Sequence, residues 1–433
     1  MPAVVAGVPW CDLGTRVVDE VRWRTCFPAA VGARLTDRAV LRASGPTVAA
    51  LDGVTNLDLR ECANVTDGVV LRLPTSLHTL NVHGCDLTGD ASFVHLAALT
   101  SLDCSCTIVV SKRTAGLPLS LQVLNISTAY GNVLRPGASL AHLRQLRVLR
   151  ANGCELDGDT LASLPPSLEE LHAARCTGLT PVASFAQLTA LRKLDMGGTA
   201  VGDASLATLP PSLVFLNARR CEKLTSTATL PHLPALQLFD VSDTAIGDTL
   251  VASLPTTLVE LRLTGCRGVT AGARLDHLSA LQLLDVSDTD IGDASLATLP
   301  PSLVSLNAHE CENLTTTAVL PHLPALQLLD VSGTAIGDAS LVTLPPSLVS
   351  LKARECKNLT ATATLPHLPA LQLLDVSGTA VGDASLATLP PSLVFLNARR
   401  CEKLTSTATL PHLPALQLLD VSGTDIGDAL VAI

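Results

Sequence analysis

Cysteine and histidine are the residues of this sequence whose types and spacing could support chemistry. Thiolates and imidazoles are common zinc ligands, and an activated cysteine can act as a nucleophile. Six cysteines follow one another at intervals of 45 residues: Cys176, Cys221, Cys266, Cys311, Cys356 and Cys401. Five histidines do the same: His232, His277, His322, His367 and His412. Whether these side chains can meet at one site depends on the fold that a 45-residue period produces.

The period belongs to a repeat that covers nearly the whole chain. Residues 199–238 recur unchanged at 379–418. Each 45-residue unit has two similar halves, with apolar residues at the first, fourth and sixth positions and Cys or Thr at the ninth. We predict about seventeen repeats of 22–23 residues, each with a short strand. Their first positions are Val54, Leu77, Leu99, Leu121, Leu146, Leu168, Leu191, Leu213, Leu236, Leu258, Leu281, Leu303, Leu326, Leu348, Leu371, Leu393 and Leu416.

The alternation within each strand predicts how the repeats pack. The first, fourth and sixth side chains point inward, whereas the third, fifth and seventh point outward. One repeat cannot bury its apolar side alone, so neighbouring repeats must stack. Asp203 and Asp293 precede apolar stretches, so we read them as helix N-caps. This pattern predicts a curved α/β solenoid, with a parallel sheet on its concave face and short helical or 3-10 turns on its convex face.

This geometry keeps the repeated cysteines and histidines apart. Alternate strands lie about 10 Å from each other, which is beyond the reach of a disulfide or of one metal ion. We therefore expect the ninth-position cysteines to be buried thiols, and Cys106, at an outward position, to be the most reactive. The sequence has no nucleophile elbow, phosphate-binding loop or HExxH motif. We predict no catalytic residue, no cofactor and no metal, and hence no enzyme.

Composition limits the partners and the location. The 29 basic and 39 acidic residues leave a net charge of −10, which disfavours nucleic acid as a partner. The sequence contains no run of eighteen apolar residues, so we predict no membrane insertion, and the first residues do not resemble a signal peptide. We therefore expect a cytoplasmic protein.

The amino-acid sequence of the repeats resembles that of known families. Residues 59–67, Leu-Arg-Glu-Cys-Ala-Asn-Val-Thr-Asp, resemble the cysteine-containing subtype of leucine-rich repeats, common in F-box proteins. The Leu-Pro-Pro-Ser and Leu-Asp-Val-Ser-Gly-Thr segments resemble the kinetoplastid leucine-rich-repeat families, some labelled putative adenylate cyclase regulatory proteins. The resemblance implies a leucine-rich-repeat solenoid that serves as a protein–protein interaction scaffold. The alternatives are a substrate receptor of a ubiquitin ligase and a regulator of an adenylate cyclase.

The two ends differ from the repeats. Residues 1–50 lack the pattern, and we expect an N-terminal helical cap there, or a degenerate F-box tail as the alternative. We expect residues 51–433 to form the leucine-rich-repeat domain, with an uncapped C-terminus.

The outward strand positions carry the predicted partner-binding residues. Halves with Cys place polar or basic groups there, and halves with Thr place Leu, Asp and Ser, as at Leu238, Asp240, Ser242 and Ser287. Two interpretations stay open: a cross-strand charge ladder that stabilises the sheet, and a binding surface. Outward residues vary most over 54–198, which favours that half for specific recognition. The predicted binding residues are Phe215, Asn217, Arg219, Asp240, Arg262, Asp285, His309, Lys352, Arg354, Phe395 and Arg399.

Overall fold

Short parallel strands, one per repeat, make up the framework of the chain. The structure is a computed structural model that describes residues 10–13, 29–35, 51–62, 65–87, 91–107, 114–128 and 139–426. The chain divides into two compact units, Met1–Phe215 and Leu216–Ile433. Each unit is a stack of coils of the same kind, which confirms the predicted leucine-rich-repeat solenoid.

The strands pair in chain order within each unit. In the first unit they are β1 (Trp10–Leu13), β2 (Gly32–Leu35), β3 (Asn56–Asp58), β4 (Thr79–Asn81), β5 (Ser101–Asp103), β6 (Val123–Asn125), β7 (Val148–Arg150), β8 (Glu170–His172) and β9 (Lys193–Asp195). The division falls within β10 (Phe215–Asn217).

The second unit continues with β11 (Leu238–Asp240), β12 (Glu260–Arg262), β13 (Leu283–Asp285), β14 (Ser305–Asn307), β15 (Leu328–Asp330), β16 (Ser350–Lys352), β17 (Leu373–Asp375), β18 (Phe395–Asn397) and β19 (Leu418–Asp420). Strands β3 to β19 each begin two residues after a predicted first position, so all seventeen predicted strands are present.

Parallel pairing also reaches into the segment before residue 51. Trp10 in β1 pairs with Gly32 in β2, and Gly32 pairs with Asn56 in β3. The sheet therefore begins earlier than the predicted boundary, although the sequence there lacks the repeat. The helices predicted for residues 1–50 fall on residues outside the described ranges.

The inward positions form the core. In the coil that begins at Leu213, the fourth, sixth and ninth residues are Leu216, Ala218 and Cys221, and all four are 0% exposed. The expectation that the seventh-position serines lie on the surface is wrong. Ser242 and Ser287 are buried, because the strands already end at the fifth position and the chain turns off the sheet. The Ser287 hydroxyl donates to the Asp285 carboxylate at 2.6 Å.

The turns opposite the sheet contain helices of four or five residues. They are α1 (Asp67–Val70), α2 (Gly158–Ala162), α3 (Asp203–Leu206), α4 (Asp248–Ala252), α5 (Asp293–Leu296), α6 (Asp338–Val342) and α7 (Asp383–Leu386), with a 3-10 turn at Thr114–Gly116. None of the helices in the described ranges has the length and apolarity that a membrane span requires.

The repeated aspartates at the helix starts are not N-caps, contrary to the sequence prediction. Gly292 is the N-cap of α5, and Asp293 is its first residue. The Asp293 carboxylate instead accepts hydrogen bonds from the next coil: from the Thr315 backbone N–H at 2.9 Å, the Thr315 hydroxyl at 2.6 Å and the Thr317 hydroxyl at 2.7 Å. Asp338 and Asp383 make the same bonds. These carboxylates therefore join neighbouring coils.

The eighth position, just after the strand, imposes a second constraint. Its backbone is left-handed in coil after coil, with φ of +56° at Glu310 and +71° at Gly333. Non-glycine residues adopt this conformation at a cost of about 1–2 kcal/mol. Gly333 also leaves room for Glu310, whose Cγ would lie 3.1 Å from an added Cβ.

Substituting Gly333 with Ala tests this constraint. We expect a loss of about 1–2 kcal/mol in the free energy of unfolding, because the left-handed backbone is strained by a Cβ. Gly158→Ala is the matched control, since an added Cβ there meets no atom within 4 Å. Urea denaturation followed by circular dichroism measures both, and equal stability of the two variants would contradict the constraint.

Substituting Asp293 with Ala tests the bonds between coils. We expect a loss of about 1–3 kcal/mol at neutral pH, typical for hydrogen bonds to a charged group. Burial raises the pKa of Asp293, but the bonds from Thr315 and Thr317 outweigh burial and hold the pKa below 3.8. The stabilisation is therefore present above about pH 4 and is lost as the pH falls through the lower pKa of the folded state.

The control for this substitution is Asp276→Ala, which removes an exposed pair with Arg274. We expect it to leave the stability essentially unchanged, because an exposed ion pair is screened by solvent. Denaturation curves at a series of pH values should show the gap between wild type and Asp293→Ala closing in acid. A gap that is absent at pH 7, or that widens in acid, would show that the carboxylate does not join the coils.

Candidate functional site

The cysteines and threonines of the ninth position form hydrogen bonds behind the sheet. The Thr289 hydroxyl donates to the Val286 carbonyl oxygen at 2.5 Å, and the Cys311 thiol of the next coil donates to the same oxygen at 3.0 Å. The hydroxyl and the thiol lie 3.7 Å apart. The same arrangement occurs at Val241, Val331 and Val376. The repeated cysteines therefore connect adjacent coils.

This burial disfavours the thiolate form of the cysteines. Burial raises the pKa of Cys85 to about 11 and that of Cys154 and Cys176 to about 12. The thiolate, which is the nucleophile and the metal ligand, is disfavoured in such surroundings. Cys106 differs: it is exposed, and its backbone is left-handed with φ of +55°.

The repeated histidines do not meet. Four of the five are exposed on the turns, and His277 is half-buried with its Nε2 atom shielded from solvent. Across the described ranges, no three His, Cys, Asp or Glu side chains are grouped so as to hold a metal ion.

The outward face of the sheet in the second unit is organised in rows across the strands. Fifth-position residues align in register, so that Asp285 pairs with Asn307 and Asp330 pairs with Lys352. Third-position residues align likewise, with Leu373 beside Phe395. Phe215 at the end of the first unit and Phe395 are both half-buried third-position residues.

Several predicted binding residues are engaged in bonds within the sheet. The Asp285 Oδ1 atom accepts the Ser287 backbone N–H at 3.0 Å, and its Oδ2 atom accepts the Asn307 amide at 3.1 Å. Asp240 likewise accepts the Ser242 N–H at 3.0 Å, and Asn217 accepts the Arg219 N–H at 2.9 Å. These fifth-position side chains hold the turn after the strand.

Most of the predicted basic residues have acidic neighbours. The shortest contacts are Arg219 with Asp243 at 3.0 Å, Arg262 with Glu260 at 2.5 Å, His309 with Glu310 at 3.2 Å, Lys352 with Asp330 at 3.6 Å, and Arg354 with Glu355 at 3.1 Å. Arg399 is exposed, and its guanidinium has no bonded carboxylate within the described part of the chain. The face thus combines an internal charge ladder with exposed polar groups.

A further charged group on β8 and β9 was not among the predicted binding residues. The Lys193 ammonium donates to Glu170 at 2.8 Å, and the His172 Nε2 atom lies 3.6 Å from the same carboxylate. The hydrogen bond from Lys193, together with His172, lowers the pKa of Glu170, against the effect of burial. The sequence signal that could have identified the group is the fifth position, where Arg150 and His172 replace the usual Asn or Asp.

Comparison with known proteins supports the fold. The sequence matches no protein-family model and no curated protein. Among solved structures, a leucine-rich-repeat protein of Leptospira interrogans is similar with a TM-score of 0.56 and 18% identity, over 87% of this chain and 92% of that one.

Two structures of complexes are also similar. The complex of TLR13 with a single-stranded RNA gives a TM-score of 0.53 and 18% identity over 96% of this chain, and the Toll–Spatzle complex of Drosophila gives 0.54 and 15% over 88%. The chain spans 58% and 52% of the lengths of those two proteins. At these identities the likeness concerns the fold alone.

Alkylation of the folded chain tests the difference between the thiols. We expect iodoacetamide to modify Cys106 and to leave the ten buried cysteines of the described residues unmodified, because burial disfavours their thiolates. Peptide mass spectrometry before and after unfolding in urea measures this, with Cys106→Ser as the control. Rapid labelling of Cys154 or Cys176 in the folded chain would overturn the burial argument.

Proposed function

We propose that this chain is a protein-binding scaffold that engages its partner through the outward face of the sheet. One observation carries the proposal. The inward positions repeat nearly the same residues from coil to coil, whereas the outward positions of the coils with Cys differ from one such coil to the next. At the third position these coils carry Phe215, Glu260, Ser305 and Ser350, whereas the coils with Thr in the second unit all carry Leu. Packing of the core therefore requires similar inward residues in each coil. The outward residues that vary can determine which partner binds.

The internal bonds of the sheet favour binding rather than catalysis. Asp285 and Asn307 hold each other in place, so that the backbone and its polar side chains are pre-organised. A partner that meets a rigid surface loses less conformational entropy on binding. The mechanism is many modest contacts spread over a long face, without a reaction step.

The similar structures support a binding role for the fold. Two of them are complexes, one with Spatzle and one with a single-stranded RNA. We favour a protein partner, because the net charge of −10 opposes binding to a polyanion over much of the surface.

Affinity capture from the source cells tests the proposal. The test variant combines Phe215→Ser, Arg219→Glu, Arg354→Glu and Arg399→Glu on the outward face. A matched control reverses three charges off the strands, with Lys223→Glu, Arg274→Glu and Lys403→Glu. We expect wild type and control to capture the same partner and the test variant to lose it, because arginine and aromatic residues dominate interface energies.

The outcome also separates the candidate partners. Capture of a ubiquitin-ligase core or of a cyclase, lost in the test variant, would identify the class of assembly. Equal capture by all three chains would show that the predicted residues of the outward face only stabilise the sheet.

A further inference from the structure

The fifth residue of the repeat, at the end of the strand, holds the following turn in most coils of the first unit. Its Asn or Asp side chain accepts the backbone N–H two residues later and so holds the turn after the strand. The distances are 2.9 Å at Asn81, 3.0 Å at Asp103, 3.1 Å at Asn125 and 3.1 Å at Asp195. Two adjacent strands, β7 and β8, carry Arg150 and His172 instead, and neither side chain can make this bond as an Asn or Asp does.

In these two coils the turn is held by a side chain of the preceding coil. The Ser127 hydroxyl oxygen accepts the Asn152 backbone N–H at 3.2 Å, and the Asn152 side-chain oxygen accepts the Ala174 backbone N–H at 2.9 Å. Both N–H groups thus remain satisfied. Arg150 and His172 are therefore not needed to hold the turns of their coils.

The freed residues lie side by side on the outward face. Arg150 pairs in register with His172, and His172 pairs with Asp195. Glu170 is already bonded to Lys193 and flanked by His172. Arg150 is exposed, and its guanidinium forms no hydrogen bond or ion pair with the described residues. It is therefore an exposed cation on the strand that pairs with no carboxylate of the described ranges.

The surroundings of Arg150 are basic within an acidic protein. Residues 147–153, 169–175 and 192–198, which form β7 to β9 and their flanking positions, contain five Lys or Arg and three acidic residues. Arg175 is exposed beyond the end of β8.

We propose that the outward face of β7 to β9 binds an acidic peptide segment of the partner, with Arg150 as the central contact. A guanidinium binds a carboxylate through two parallel hydrogen bonds, which suits an exposed arginine on a fixed strand. The half-buried Val148, next to Glu170 in register, adds apolar contact area. This inference rests on the proposed function and names the chemistry that one part of the face recognises.

Fluorescence anisotropy with a labelled polyglutamate peptide tests the inference on the full chain. The decisive variant is Arg150→Asn, since Asn at this position can cap its own turn as Asn125 does. We expect Arg150→Asn to melt at the wild-type temperature or above it, and to bind the peptide about tenfold more weakly, as expected for loss of one charge-assisted pair. Arg150→Glu should weaken binding further.

The matched control is Arg267→Gln in the second unit, an exposed arginine paired with Asp288. We expect less than about a twofold change in affinity for it, because a paired surface charge contributes little. Saturable binding that depends on Arg150 and not on Arg267 supports the inference. Absence of saturable binding by wild type, or equal losses in the two variants, would overturn it. Tighter binding of an oligouridylate than of polyglutamate would also overturn it.

The result is independent of the capture experiment, whose test variant leaves Arg150 unchanged. If capture depends on the outward face while polyglutamate does not bind, the proposed function stands and the acidic-peptide inference fails. If polyglutamate binds through Arg150 while capture is unaffected by the test variant, the predicted residues 215–399 fail as the partner site.

Discussion

The carbonyl oxygen that a Thr hydroxyl and a Cys thiol share, at Val241, Val286, Val331 and Val376, is the interaction on which the rest of the structure depends. At Val286 this oxygen accepts a hydroxyl from its own coil and a thiol from the next. Buried backbone groups must find partners, and a coil of 22 or 23 residues is too short to satisfy them alone. The ladder of Thr and Cys meets this need at every second coil from Val241 to Val376, and the bonds between Asp293 and the threonines of the next coil do the same on the opposite side.

Because stability comes from contacts between neighbouring coils, the positions that make these contacts accept few residue types. Leu, Val, Ala, Thr and Cys recur at the inward positions because each must fit the coil before it and the coil after it. The outward positions have a weaker constraint. An Asn or Asp at the fifth position holds the turn, and even that bond can be made by a neighbouring coil, as the bond between Asn152 and Ala174 shows. Residues such as Arg150 thereby become available for recognition, and binding can change without cost to the core.

The sequence predicted those features that depend on local periodicity. The strands, the buried thiols and the exposed Cys106 followed from spacing and alternation alone. What it did not predict depends on residues about 22 positions apart. The bonds from Thr315 to Asp293 are invisible to a local capping rule, which assigned the aspartate to its own helix. The pairing of β1 and β2 is made by backbone groups and needs no repeat in the sequence. The charged group around Glu170 emerged only once register placed β8 and β9 side by side.

Hydrogen exchange measured by mass spectrometry in Thr289→Val tests most directly whether neighbouring coils hold one another. This change keeps the shape of the side chain and removes the hydroxyl that bonds the Val286 carbonyl oxygen and contacts Cys311. If stability is shared between coils, amide exchange will accelerate in residues 303–314 of the next coil as well as in residues 281–291. Acceleration confined to residues 281–291, with the next coil unchanged, would show that each coil is stabilised on its own and would contradict the account.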